Sequence, residues 1–177
     1  MPDKATRLRA LHKAPPILVL PNAWDAASAR IFQAEGFPAI ATTSAGVAAA
    51  LGYPDGGVVP AREMIEAVAR IVRAVTVPVT ADIEHAYATT PDAVAEVVLR
   101  VIAAGAVGIN IEDRVPGGSE LEPIPLQVDK IKVKFEVPLS VAAHLQSGRA
   151  ANDHHVFVWR MPVPRNNAAR GHFRQND

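Results

Sequence analysis

The chain has 177 residues, no cysteine, and 18 Lys plus Arg against 18 Asp plus Glu. This length suits one domain with a sizeable core, and the balanced charge gives no sign of a nucleic-acid or acidic-membrane partner. The lack of cysteine excludes disulfides, thiolate metal sites and cysteine nucleophiles. Because no apolar run approaches the roughly 18 residues of a membrane helix and no signal core is present, we expect a soluble, cytoplasmic protein.

Apolar runs and helical patterns alternate along the chain. A short amphipathic helix is predicted at 4–13, ending before Pro15-Pro16. Apolar, β-rich runs predict five strands, at 17–20, 38–43, 78–83, 106–111 and 137–141. Helical spacing predicts helices between them, at 24–34, 60–74, 91–104 and 126–134. Residues 44–52 are expected to be a small, flexible stretch. The order predicts parallel strands joined by right-handed crossovers.

Carboxylates follow two of these predicted strands directly. Asp82 and Glu84 end the third strand, and Glu112 and Asp113 end the fourth. Because the carboxyl ends of parallel strands meet at the edge where α/β enzymes build their sites, we expect these side chains to converge. Converging acids repel one another unless a cation joins them, and oxygen ligands without cysteine favour Mg²⁺ or Mn²⁺ over zinc. The sequence therefore predicts a metal site.

The composition changes after residue 141. Residues 142–177 hold four of the six His, five Arg, no Lys and only two acids. Three explanations stay open: a disordered tail, a divergent cap, or a translated change of reading frame. The predicted organisation is accordingly an incomplete series of five βα units that carries the metal and carboxylate site at 1–141, followed by an atypical tail at 142–177.

Five short motifs occur in a fixed order: Pro21–Arg30, Thr42–Gly46, Leu51–Asp55, Ala81–Tyr87 and Gly108–Asp113. Together they resemble the isocitrate lyase/phosphoenolpyruvate mutase superfamily, specifically its phosphonomutase-like and 2-methylisocitrate-lyase-like members. The resemblance covers residues 4–140. It implies a (β/α)₈ TIM barrel, of which five βα units are legible here, binding Mg²⁺ and a small 2-oxo or 2-hydroxy carboxylate at the strand ends.

The resemblance also implies a role for each site residue. Asp82 would bind the metal directly, whereas Glu84 and Glu112 would act largely through metal-bound water. The turn Thr43-Ser44-Ala45-Gly46 would hold the substrate carboxylate through a hydroxyl and backbone N–H groups. Asp55, on a loop that closes over the site, and Glu112 would be the catalytic acids. For Trp24 two roles stay open: packing against the helix that follows it, or shaping the substrate pocket.

The implied activity is that of a lyase or phosphonomutase-like enzyme that breaks or forms a C–C or P–C bond through an enolate. A cation spanning the carboxylate and C2 oxygen of the substrate would act as the Lewis acid. Beyond the small carboxylate, no nucleic-acid or membrane partner is expected, and a homo-oligomeric assembly is left open.

Four departures from the family pattern, the largest being the length of the chain, keep a second hypothesis open. The loop at 114–124 lacks the Lys-Lys-Cys-Gly-His signature of isocitrate-cleaving members, and Val141-Ala-Ala-His144 stands where the family has Asn-Ala-Arg. Ala86-Tyr87-Ala88 replaces the usual Gly-Tyr-Gly. An eight-stranded barrel usually takes about 250 residues. The alternative is therefore an inactive, truncated or frame-altered member that keeps only the metal-binding half.

Overall fold

The computed structural model describes residues 3–13, 15–56, 58–115 and 120–136, the last four by their backbone alone. Helices and strands alternate in this part of the chain: α1 (Lys4–Lys13), β1 (Asn22–Ala23), α2 (Ala26–Ala34), β2 (Ile40–Thr42), α3 (Ser44–Leu51), α4 (Ala61–Ala74), β3 (Val79–Asp82), α5 (Pro91–Ala103), β4 (Gly108–Asn110) and α6 (Ile124–Glu136). The strands form one parallel sheet in the order β1-β2-β3-β4. The predicted α/β class with parallel strands is confirmed.

Capping residues define where the helices on the sheet begin. Asp25 caps α2 by accepting a 2.7 Å hydrogen bond from the Ser28 N–H. The Asp25 N–H in turn donates to the Ser28 hydroxyl oxygen. This reciprocal pair is a capping box. Thr90 caps α5 in the same sense, and Pro91 occupies the first helical turn, where its missing N–H costs nothing. The helix starts are thus written locally in the sequence.

The core lies between the sheet and its helices. Valines and isoleucines of α4, α5 and β4, together with Ala81 of β3, form its largest cluster. Leu8 of α1 is fully buried and packs with Ala39 and Val107 below the sheet, so α1 covers the edge where the strands begin. The opposite edge, where the strands end, carries the polar side chains.

Two predicted elements differ from the structure. The strand predicted at 17–20 is wrong, because pairing with β2 begins only at Asn22, and Ile17 and Val19 are 89% and 57% exposed. The stretch at 44–52, predicted to be flexible, forms α3, which Thr43 caps and which buries Val47 against α4. Alanine-rich sequence favours a helix once a buried face is available.

The remaining strands are shorter than predicted, and α6 is longer by a few residues. The predicted fifth strand at 137–141 and the tail at 142–177 lie outside the described residues, so that division of the chain stays a prediction. None of the helices among the described residues combines the length and the apolarity needed to cross a bilayer.

Candidate active site

A pocket of about 240 Å³ lies at the carboxyl edge of the sheet. Seven of the predicted site residues line it: Thr43, Ser44, Ala45, Asp55, Asp82, Glu84 and Glu112. They come from the ends of β2, β3 and β4, the start of α3 and the loop after α3. The structure therefore brings these residues together, and their individual roles stay predictions.

Two predicted substrate contacts lie away from this pocket. Trp24 is 44% exposed, packs edge-to-face on Phe32 of α2, and lines a separate groove between α2, α3 and α4. Gly46 lies in the first turn of α3, where a Cβ would come within 2.9 Å of Trp24 Cβ. Both residues therefore contact each other beside the turn that carries Ser44. For Trp24, packing against the helix α2 is one of the two roles considered from the sequence.

The carboxylate of Asp82 accepts three hydrogen bonds in the pocket. Its Oδ2 accepts hydrogen bonds from the Ser44 N–H (3.0 Å) and the Ser44 hydroxyl (2.8 Å), and its Oδ1 accepts one from the Glu84 N–H (3.1 Å). The Asp82 N–H in turn donates to Thr42 Oγ1. Asp82 thus joins the end of β3 to the N-terminus of α3, whose partial positive charge favours an anion there.

Glu84 and Glu112 stand next to this carboxylate. The Glu112 N–H donates to the Glu84 carbonyl at 2.8 Å, which ties the ends of β3 and β4 together. Burial, and then the negative charge of Asp82, raise the pKa of the Glu112 carboxyl, while Arg114 acts in the opposite direction. The pocket therefore concentrates negative charge that a cation would relieve.

The loop after β3 has a strained backbone. Glu84, Ala86 and Tyr87 all have positive φ, at 47°, 66° and 54°, in the left-handed region that non-glycine residues rarely adopt. Ala86 is one of the positions at which the resembling family has glycine. Strain of this kind persists where surrounding contacts hold the backbone in place. Here the side chains of Ile83, Glu84 and Ala86 are buried and hold the loop in this conformation.

Two further side chains shape the pocket's electrostatics. Burial, and then the positive charge of Lys130, lower the pKa of His85, which keeps this imidazole neutral at pH 7. Burial, and then the charges of Glu84 and Asp82, raise the pKa of the Tyr87 hydroxyl far above its usual range. Both groups are therefore uncharged at pH 7, and neither adds to the acids' negative charge.

Sequence reasoning gave no role in the pocket to Arg114 or Asn110. Arg114 lines the pocket, and Asn110 lines an adjoining cavity of about 360 Å³ along the sheet, together with Asp82 and Glu112. Asn110 could have been found from the sequence, because an amide side chain within an otherwise apolar strand points to a position that lines a cavity. Arg114 could have been found as well, since it directly follows two acids.

The donor set suits a hydrated ion better than a fully protein-ligated one. Among the described residues, no group of three His, Cys, Asp or Glu side chains lies close enough to hold a metal. A carboxylate offers about four acceptor positions, and Asp82 uses three of them within the protein. One position on Oδ1 is left for a direct bond. Mg²⁺ keeps several waters and takes one or two carboxylates, so Asp82 with water-bridged neighbours fits it.

The fold and the pocket define a class: an α/β protein with parallel strands and an acidic site at their carboxyl ends. Residues 8–145 match the family model for phosphoenolpyruvate phosphomutase. The chain belongs to the phosphoenolpyruvate mutase/isocitrate lyase superfamily, whose members are magnesium-dependent carbon–carbon lyases and phosphonomutases.

Individual relatives agree with this assignment. The chain is 30% identical to 2-methylisocitrate lyase of Bacillus subtilis over 156 residues, which is 84% of this chain and 52% of that protein. It is 34% identical to 2,3-dimethylmalate lyase of Eubacterium barkeri over 64% of this chain and 39% of that protein. A Burkholderia cenocepacia structure assigned as a phosphonomutase superposes with a TM-score of 0.78 and 39% identity, over 89% of this chain and 60% of that one.

The chain therefore spans between 38% and 52% of the length of the first curated relatives it matches. Its parallel sheet corresponds to part of the TIM barrel of these family members.

Proposed function

We propose that this protein is a Mg²⁺-dependent lyase or phosphonomutase-like enzyme acting on a small 2-oxo or 2-hydroxy carboxylate. The observation that carries the proposal is the convergence of Asp82, Glu84 and Glu112 in one pocket at the N-terminus of α3. The proposed architecture around this pocket is the (β/α)₈ barrel of the family, and the described residues supply four of its strands.

The residues of the chain divide the proposed work among them. Asp82 would hold the ion through Oδ1, and Glu84 and Glu112 would orient its water molecules. The bound ion would supply Lewis-acid stabilisation of an enolate. The N-terminal turn of α3, at Thr43 to Ala45, would receive the anionic end of the substrate, because helix N-termini favour negative charge.

Asp55 and Glu112 are the proposed catalytic acids. Asp55 lines the same pocket as Glu112 and adds to the negative charge that Glu112 experiences, so the two carboxylates face a common space. The raised pKa of Glu112 brings that carboxyl closer to neutral pH, as suits a group that must hold and release a proton. Asp55, on the loop after α3, would limit the access of water to the site.

Metal binding tests the proposal first. Isothermal titration of the wild-type chain with Mg²⁺ should show binding, and Asp82→Asn should weaken it at least about tenfold, because the direct ligand loses its charge. Asp92→Asn, on the exposed first turn of α5, is the matched control and should bind as the wild type does. Equal Mg²⁺ affinity for the wild type and Asp82→Asn would contradict the metal assignment.

A second candidate function is favoured by the loop after β4. This loop carries neither Lys nor Cys, so a chain that binds Mg²⁺ without turnover is the alternative to an active enzyme. Steady-state assays with oxaloacetate, 2-methylisocitrate and phosphonopyruvate, each with Mg²⁺ and with a chelator, separate the two. Mg²⁺-dependent turnover of any of these acids supports the enzyme, and Mg²⁺ binding without turnover supports the inactive family member.

A further inference from the structure

A buried ion pair joins α6 to the chain segment just before it, close enough to act on the charge of His85 in the pocket lining. Lys130 Nζ of α6 donates to Glu122 Oε1 at 2.6 Å, and the two side chains are only 2% and 8% exposed. Two charges removed from water are costly, and a well-packed apolar pair is commonly as stable. The pair is therefore weakly explained by stability alone, and its place in the fold calls for another role.

Hydrogen bonds connect this pair to the acids of the pocket. The Glu122 N–H donates to the Asp113 carbonyl at 2.8 Å, which clamps the returning arm of the loop onto the residue next to Glu112. The Glu112 N–H donates to the Glu84 carbonyl at 2.8 Å, and the Glu84 N–H donates to Asp82 Oδ1 at 3.1 Å. Four hydrogen bonds, joined by short stretches of backbone, thus connect the Lys130 ammonium to the Asp82 carboxylate.

A second contact from α6 reaches the same point. Gln127, one turn before Lys130, donates from Nε2 to the Glu112 carbonyl at 3.3 Å. Residues three apart lie on one helical face. The face of α6 that carries Gln127 and Lys130 therefore holds both arms of the loop, one at Glu112 and the other at Glu122.

We propose that the Lys130–Glu122 ion pair is a positioning device for the candidate active site, which holds the backbone at Glu112 so that its carboxylate faces the pocket. Where it concerns metal binding, this inference rests on the proposed function. The charge-assisted hydrogen bond holds Lys130 Nζ and Glu122 Oε1 at 2.6 Å, which fixes the loop at Glu122 relative to α6. An apolar pair of similar volume would fill the space and leave the loop able to shift along α6.

Hydrogen exchange in the full chain tests this directly and needs no metal. The double variant Lys130→Met/Glu122→Leu replaces the pair by apolar side chains, which avoids leaving one charge buried alone. We expect a thermal unfolding midpoint close to that of the wild type, together with exchange of the Glu112 amide that is at least about tenfold faster. The Ile40 amide, bonded to the Pro78 carbonyl in the sheet at 3.0 Å, is the internal reference and should keep its rate.

Mg²⁺ affinity gives the second readout. We expect the double variant to bind Mg²⁺ about tenfold more weakly than the wild type, as is typical when groups that orient metal ligands are lost. Arg62→Met/Glu66→Leu, which removes the exposed ion pairs of Glu66 with Arg62 and Arg70 on α4, is the control and should change neither measurement.

The outcomes separate the two proposals. Unchanged exchange at Glu112, or unchanged Mg²⁺ affinity in a double variant that binds the ion, overturns the positioning role. A wild-type chain that binds no Mg²⁺ overturns the proposed function, and the exchange rate at Glu112 then decides the positioning role by itself.

Discussion

At the level of one residue, the carboxyl of Glu112 makes the stability of the fold depend on pH. Folding raises the pKa of this carboxyl, so the protonated form favours the folded state. This contribution is fully present below the unfolded pKa of about 4.3 and is lost as the pH rises through the higher folded pKa. A permanently neutral side chain at this position should therefore help at neutral pH and make no difference in acid.

Glu112→Gln is accordingly expected to raise the free energy of unfolding at pH 7, measured by urea denaturation without divalent ions. The gain should stay below about 1 kcal/mol, because solvent screens a half-exposed carboxylate. Near pH 4 the gain should disappear. Glu96→Gln, on the exposed side of α5, is the control. A variant that is less stable than the wild type at pH 7 would contradict the charge repulsion described for this pocket.

Single residues also show how far the sequence predicts such a site. Asp82, Glu84 and Glu112 were predicted to converge because each follows an apolar strand, and parallel strands place their ends together. The bonds between Ser44 and Asp82 join residues 38 positions apart, and no local pattern encodes them. The burial of Lys130 was equally hidden, since a lysine on an amphipathic helix is usually exposed.

At the level of elements, the contact of β3 with β4 depends on one glycine. Gly108 pairs with Thr80 across the sheet, and a Cβ at Gly108 would lie 2.8 Å from Thr80 Oγ1 and 3.1 Å from Leu8 Cδ2 of α1. These separations are shorter than ordinary van der Waals contacts. β3, β4 and α1 therefore pack closely at Gly108 because glycine has no side chain.

Gly108→Ala should lower the free energy of unfolding by about 1–3 kcal/mol, the usual cost of overpacking a core. Thr80→Ala removes Oγ1, the nearest clashing atom, and keeps Cβ at 3.0 Å, so the double variant should recover at least about 0.5 kcal/mol relative to the sum of the single effects. Thr80→Ala alone completes the cycle, measured by chemical denaturation. Additive losses, or a neutral Gly108→Ala, would show that the close approach does not constrain the sheet.

Helices and strands differ in how far neighbouring residues in the sequence determine where they begin and end. The start of α5 was predicted at its observed place because Thr90 and Pro91 act within one turn. The first strand was misplaced because the apolar run 17–20 satisfies a strand pattern, whereas a strand exists only where a partner supplies hydrogen bonds. The parallel partner of this region is β2, and its register selects Asn22 and Ala23. Such pairing is a tertiary property, as is the burial that turns 44–51 into a helix.

At the level of the whole molecule, the described sheet has β1 and β4 as its outer strands, while the matching relatives are longer. The sequence predicted the class of the fold and the family, since both rest on order and motifs. The strand predicted at 137–141 lies outside the described residues, so the fifth strand stays a prediction. The side of the molecule at β1 also carries the apolar run that fails to form a strand.

That run predicts how the chain behaves at high concentration. Ile17 and Val19 are exposed and line an apolar groove of about 420 Å³ with α1 and the segment before β2. Exposed apolar segments beside a sheet edge promote association. Ile17→Lys/Val19→Lys should therefore weaken self-association in sedimentation velocity. Its thermal stability should change little, because exposed substitutions usually stay within about 0.5 kcal/mol.

Ile31→Lys is the matched control for this experiment, because Ile31 is an exposed isoleucine of α2 that lies outside the groove. It should leave the association unchanged, whereas the double variant should shift the sedimentation profile toward monomer. A wild-type chain that stays monomeric at all concentrations would contradict the prediction, as would equal association of the wild type and the double variant. Comparing the double variant with Ile31→Lys therefore separates association through the groove on the β1 side from a general effect of exposed apolar side chains.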